Sequence, residues 1–587
     1  MTPANLTRQT TPLQEVADSL PIAGDGREEE SAYRAGPLDT SMLPADLGEP
    51  LASVPPGSIG RKLAGATMLV GGAFALSRVL GLVRNEVIAA QFPPSPTDAR
   101  LDTYLAAFNL PDTLFLLIIG GAVGSAFIPV FTDLMEQKKV AQAWRLTSTL
   151  INASVVLLAL GGIILAFFAP VLVGSLLVPE WSPQKQADTV ALMRIMLLSP
   201  LFLGLGGWAQ GILNARQSFT LPALAPLAYN GAIIGGALLL APRWGTPGLA
   251  VGVVLGSLLH FLVQVPGLIR AGMRYHPFHL SSHDEGARQV ATLMLPRIVG
   301  QAAFQANILF ITNVASFLPG NGGYAAFNYA YILMMLPHGV LAMSLATVLF
   351  PTMTAQVSRG DLPAMRATLV GGIRILVFLV LPMAVILGLL RRQIVALLFE
   401  FGAFRQGSVD LIAPALGWFA WGLLAYVVVE LVTRGYYALQ DTRTPVVVSI
   451  ATVVFNIILS RVLVLGFGMD QSGLALSLTI TTTLEMLGLL YFLRRKLPGL
   501  FDRPALRAFA VSLLGAGLMG GALFFLVPWL DTNIWAYPAD ALGTKVATAL
   551  VFGIATLVGG AIYLGVARLL HAEELGQTLR LLRRGAR

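Results

Sequence analysis

The chain has 587 residues, of which 55% are hydrophobic and 12% charged, with mean hydropathy +0.73, whereas a soluble domain carries about 25% charged residues. That balance excludes a soluble enzyme and a single-span receptor, and the absence of cysteine excludes disulfides, thiolate metal sites, iron–sulfur clusters and a cysteine nucleophile. The net charge of +8 sits largely in short loops between apolar runs. Basic residues placed this way fix membrane orientation and do not form a nucleic-acid surface.

Residues 1–60 are polar, with Pro, Gly, Ser and an acidic run at Glu28, Glu29 and Glu30, and predict a disordered cytoplasmic tail. The first apolar run begins near Leu63, too far in and too long for a cleavable signal peptide. From there the pattern predicts an all-α integral membrane protein of about fourteen spans. They run over 63–91, 101–131, 145–175, 188–214, 221–241, 247–270, 289–317, 322–355, 367–390, 408–439, 445–467, 472–493, 505–529 and 545–570. Pro111, Pro200, Pro226, Pro296 and Pro337 predict kinks, because each removes a backbone donor. Gly235 and Gly236 read as helix-packing points. An even span count puts both termini on one side. The even-numbered loops hold Lys138, Lys139, Arg270, Arg274, Arg443, Arg494, Arg495 and Lys496, which makes that side cytoplasmic, although Arg391, Arg392 and Arg405 run against the trend.

Spans one to six echo spans seven to twelve. Ala126-Phe127-Ile128-Pro129 answers to Val348-Leu349-Phe350-Pro351, Ala215-x-Gln217-x4-Pro222 to Ala438-x-Gln440-x4-Pro445, and Gly248-Leu249-Ala250 to Gly473-Leu474-Ala475, at separations of 222, 223 and 225 residues. The expected organisation is an N-lobe over 61–272, a C-lobe over 285–497, a helix pair over 503–570 and a basic cytoplasmic tail over 571–587. Six spans per unit give two lobes of equal topology facing each other, an arrangement suited to alternating access.

Ionisable groups inside a membrane cost at least about 2.5 kcal/mol each on insertion scales, so those in the spans are functional candidates. Arg78 and Arg84 in span one lie six residues apart, roughly 120° around the helix, and guanidinium pairs suit an anionic, phosphate-bearing substrate. The alternative for Arg84 is an interfacial pairing with Glu86 or Asp102. Asp102 and Asn109 in span two and Arg297, which follows Pro296, complete the candidate substrate ligands, with capping the competing role for Asp102. Arg374, Arg434 and Arg461 read as interfacial. Asn307 and Asn456 are candidate ion-coupling residues. His276, His279 and His283 read as a solvated loop and not a metal site. No nucleophile–base pair or carboxylate dyad emerges, so the expectation is a transporter without cofactor, metal or covalent chemistry.

Ser77-Arg78-Val79-Leu80-Gly81 with Arg84 resembles the MurJ/MviN family of lipid II flippases in the multidrug/oligosaccharidyl-lipid/polysaccharide exporter superfamily. So do Asp102-x5-Phe108-x-Leu110-Pro111, Ala126-Phe127-Ile128-Pro129-Val130-Phe131, Leu398-Phe399-Glu400-x-Gly402-Ala403-Phe404 and Tyr436-Tyr437-Ala438-Leu439-Gln440-Asp441-Thr442-Arg443-Thr444-Pro445-Val446. The resemblance covers about residues 61–570. It implies fourteen helices, a central cationic cavity, and a groove from helices thirteen and fourteen for the lipid tail. It further implies an undecaprenyl-pyrophosphate-linked peptidoglycan precursor as substrate, the bacterial cytoplasmic membrane as location, and a sodium gradient or the membrane potential as driver. A monomer working beside cell-wall synthesis proteins and membrane lipids, in peptidoglycan biosynthesis and cell shape, is the corresponding expectation. The sequence departs from that pattern at Phe115, Ile332 and Glu430, where relatives carry basic residues, and at Asn85, where they carry an acid. An exporter of another polyprenyl-linked glycan, a cation-coupled drug antiporter of the same superfamily and an inert partner protein of envelope assembly are the competing readings.

Overall fold

A hydrocarbon core offers no water to backbone polar groups, so a chain this apolar is restricted to helices that satisfy their own hydrogen bonds. A computed structural model describes residues 56–120, 126–280, 285–500, 502–534 and 541–576. Among them the chain forms helices and no strand beyond an isolated bridge between Ser95 and Asp98. The larger of two compact units, Ala66–Arg587, holds all but the start of the first helix. The predicted tail over 1–60 lies almost wholly outside the described residues.

In chain order the helices are α1 Pro56–Gln91, α2 Arg100–Ile118, α3 Ile128–Glu136, α4 Val140–Leu177, α5 Pro183–Ala215, α6 Thr220–Trp244, α7 Thr246–Arg270 and α8 Glu285–Ala315. They continue as α9 Gly323–Ser358, α10 Leu362–Leu389, α11 Arg391–Phe399, α12 Gln406–Ala438, α13 Arg443–Gly466, α14 Gln471–Lys496, α15 Arg503–Ile534 and α16 Ala541–Leu569. Twelve helices among the described residues are long and apolar enough to cross a membrane. α1 and α8, with 36 and 31 residues, are of comparable length but are not among the twelve. Parts of both lie outside the described residues, and the run over 298–315 of α8 carries no charged residue. The second expected span is broken, with α2 ending at Ile118 and α3 starting at Ile128. α4 has 38 residues, about 57 Å at 1.5 Å per residue, and so extends well beyond a core about 30 Å thick.

In the first half α5 and α6 both pack on α7; in the second, α12 packs against α9, α10 and α14, while α15 lies on α10 and α16 on α15. Gly236 meets Gly252 so closely that a Cβ at 236 would stand 2.7 Å from the Gly252 Cα, whereas Gly235 faces open space and is no packing point. The two halves share local irregularities. Gln217 and Gln440 follow α5 and α12 with φ of 56° and 58°; α6 has a π turn at Gly236–Leu240 shortly before its end and α13 finishes in one at Val462–Gly466, while a further π turn, Leu172–Leu177, ends α4. Pro111, Pro226 and Pro337 lie inside helices, and Pro200 follows a break in α5 at Leu197–Leu198.

Candidate functional site

α1 turns its two arginines toward different halves of the protein. Arg84, half-buried, donates from Nη1 to Asn230 Oδ1 of α6 at 3.1 Å and from Nε and Nη2 to Asn85 Oδ1 at 3.2 and 3.1 Å. Arg78 is exposed and lays its guanidinium against the backbone of α9, where a Cβ on Gly339 would stand 3.0 Å from Nη1. Asp112 of α2 lies within electrostatic reach of Arg84, and the buried His338 precedes Gly339 and sits 6.5 Å from the Tyr426 ring. This junction of α1, α2, α6 and α9 therefore offers two guanidiniums without an ion pair among the described residues. It can receive an anion.

Asp102, read from sequence as a substrate ligand, is instead buried and fully engaged. Its Oδ2 accepts from Lys185 Nζ at 2.8 Å and from the Gly322 amide at 2.8 Å, and its Oδ1 accepts from the Ala325 amide at 2.9 Å. A carboxylate of the first half thus caps the N-terminus of α9 in the second, the end of a helix that favours negative charge. Lys185 also donates to Asn321 Oδ1 at 3.1 Å and stands 3.8 Å from the centre of the Trp181 ring. Asn109 joins the same seam, donating to Tyr324 OH at 3.0 Å and to the Ala106 carbonyl at 3.1 Å. Tyr329 OH donates to the Asn85 carbonyl at 3.0 Å. Gly322 has φ of 80°, and a Cβ there would stand 2.5 Å from the Ser95 amide nitrogen, so only glycine closes the seam. In this state Asp102 and the Asn109 Nδ2 group are engaged across the seam between α2 and α9.

The remaining candidates are scattered. Arg297 lies on α8, but its side chain falls outside the described residues. Asn456 is buried and donates to Ser477 Oγ at 2.9 Å and Thr481 Oγ1 at 3.3 Å. Its Oδ1, like that of Asn307, has no hydrogen-bond partner among the described residues. Glu430 accepts from Arg434 at 2.9 Å, one turn away. Arg374 pairs with Glu573 and Glu574 at 2.9 and 2.6 Å. The His276 and His279 backbone carbonyls both accept from Asn152 Nδ2 at 3.1 Å, and His283 lies outside the described residues. No group of three potential metal ligands occurs among the described residues.

The longer motifs are scaffold. Phe127 and Phe131 are fully buried and stack at 5.2 Å, with Trp208 and Trp144 against them at 5.2 and 5.4 Å. Phe399 and Phe404 are buried 6.1 Å apart, and the Ala403 amide donates to the Ala90 carbonyl at 2.7 Å, which fastens the loop to α1. Tyr436 OH donates to the Leu489 carbonyl at 2.7 Å. Burial raises the Asp441 carboxyl, but hydrogen bonds from Lys496 and Thr444 outweigh it and hold the group at about 2. Lys185, Asn230, Tyr324 and His338 were not among the residues expected from sequence. For Asn230 a signal existed, since it occupies in α6 the place of Asn456 in α13, a few residues before the π turn of each.

Similarity to known proteins follows the same lines. The chain is 32% identical over 514 residues to the lipid II flippase MurJ of Burkholderia cenocepacia, covering 84% of this chain and 97% of that one. It is 30% identical to the probable lipid II flippase MurJ of Haemophilus influenzae, covering 78% and 92%. A solved structure of a lipid II flippase MurJ in an inward-closed conformation matches 86% of this chain and 99% of its own, with TM-score 0.69 and 25% identity. An inward-facing MATE transporter of the MOP superfamily, 15% identical with TM-score 0.60 over 73% and 96%, shares the fold alone. The sequence pattern described as lipid II flippase MurJ matches residues 97–539, most of the chain, so the chain belongs to the MurJ family of multi-pass membrane flippases.

Proposed function

We propose that the chain moves lipid II from the inner to the outer leaflet of the bacterial cytoplasmic membrane by alternating access, with both termini cytoplasmic. The observation that carries this reading is the α1 arginine pair, one held to each half of the protein, beside a latch that joins the halves. A pyrophosphate entering between them meets charge from both sides. The N-lobe over 61–272, the C-lobe over 285–497 and a tail groove from α15 and α16 complete the arrangement. The matching φ values at Gln217 and Gln440 and the matching π turns support two lobes of common plan. In the orientation set by the basic loops the latched end faces outward.

Two experiments test this. In cells depleted of their own flippase, the full chain restores growth and clears accumulated lipid II; failure at good membrane expression overturns the reading. Single cysteines are informative against a chain that has none. A cysteine at 587 is labelled from the cytoplasm, and periplasmic labelling would overturn the topology. A coupling cation such as sodium would find hard oxygen donors in Asn456, Ser477 and Thr481, with the Asn456 Oδ1 unengaged. The expected signature is sodium-dependent transport that Asn456→Leu makes sodium-independent or abolishes. Asp112 beside Arg84 favours one second reading, a cation-coupled drug antiporter, and proton- or sodium-driven dye efflux without complementation would establish it.

A further inference from the structure

α10, α12 and α15 leave between them an apolar slot of about 900 Å³. Glycines make the room. Gly388 and Gly417 stand on the first two helices, and Gly517 and Gly521 on α15 have nothing within 4 Å of where a Cβ would be. Trp421 at the opening is 79% exposed, on a surface that a membrane-embedded bundle turns toward lipid.

The first residue of α11, Arg391, also lines the slot. Its Nη1 donates to the Gly388 carbonyl at 2.7 Å, and it has no carboxylate partner among the described residues. Its neighbour Arg392, by contrast, is paired with Asp410. The slot is separate from the α1 arginines. The residues that line it all belong to α10, α11, α12 and α15, and none to α1, α2, α6 or α9.

We propose that this slot binds an anionic phospholipid, with acyl chain between α10, α12 and α15 and phosphate on Arg391. Walls this apolar gain dispersion contacts from methylenes and nothing from water. A guanidinium that lacks an anion gains charge-assisted hydrogen bonds from a phosphodiester. One arginine matches a phosphodiester with a single charge, whereas a pyrophosphate calls for the pair on α1. The site is independent of which glycolipid the protein carries, and it makes the second half a lipid-sensing as well as a transporting unit.

The test uses the purified full chain, with lipid retention read by native mass spectrometry after adding dioleoylphosphatidylglycerol or dioleoylphosphatidylcholine. The intact protein retains phosphatidylglycerol with roughly tenfold preference, the scale of one hydrogen-bonded charge pair. Gly517→Leu with Gly521→Leu fills the slot and removes retention of both lipids, while Arg391→Gln removes only the preference. A photoreactive phosphatidylglycerol labels the peptide containing Trp421, which reads the site even if the filled variant does not fold. Equal retention of the two lipids by the intact protein, retention unchanged in a folded filled variant, or labelling elsewhere overturns the proposal. So does displacement of the bound lipid by undecaprenyl phosphate, which would assign the slot to the substrate tail.

Discussion

Asp102→Ala is expected to abolish transport and to shift the protein toward a state open at the latched end. The substitution strands Lys185 without its anion and frees the amides of Gly322 and Ala325. Breaking one side of a buried ion pair costs about 3–5 kcal/mol, enough to move a two-state equilibrium by roughly two to four powers of ten. Asp102→Asn keeps an acceptor for α9 but loses the charge, and lies between. Cross-linking Ser95→Cys to Asn321→Cys with a short bismaleimide reads the latch directly: efficient in the parent, weak with Asp102→Ala. Normal transport and normal cross-linking in Asp102→Ala would remove the latch from the transport cycle.

Arg78→Ala and Arg84→Ala should each lower lipid II transport by at least about tenfold at equal membrane expression, since a hydrogen bond to a charged group is worth about 1.5–3 kcal/mol. Lysine should rescue only partly, because it keeps charge and loses the fork that grips phosphate. The two should differ in one respect. Arg84→Ala also releases Asn230 and Asn85 and so perturbs the packing of α1 on α6, whereas Arg78 is exposed and its loss should leave thermal stability unchanged. Arg297→Ala should be more harmful to transport than Arg374→Ala, whose guanidinium is committed to Glu573 and Glu574. If Arg78→Ala and Arg84→Ala both transport normally, the anionic-substrate reading of this junction fails, and Phe115 and Ile332 at usually basic positions would mark a changed function.

The helices were legible in the sequence because lipid enforces one solution for the backbone: apart from the second, the expected spans became helices close to their expected limits. The break between α2 and α3 was not, since it depends on how Ile119, Phe127 and Phe131 enter a core with Trp144 and Trp208. Arg78 and Arg84 stood out because charge inside a span is costly. The partners that give charges their meaning did not. Asp102 and Lys185 are 83 residues apart and Asp102 and Ala325 are 223 apart, and no local pattern in sequence encodes an ion pair closed by the tertiary fold. The residues between them fix distance along the chain and say nothing about distance in space.

The π turns in α6 and α13 carry a historical consequence. Such a turn holds one residue more than the helix around it, and it is the structural trace of an insertion that selection kept at some cost in stability. Two independent insertions at nearly the offset that relates the sequence motifs of the halves would require the same accident twice. A single insertion in an ancestral six-helix unit, copied when that unit doubled, requires it once. On the proposal that the two lobes descend from one six-helix unit, the extra residue is older than the doubling. Relatives that lost one of the two turns would have done so by deletion, leaving a one-residue shift in the spacing between the buried asparagine and the end of its helix.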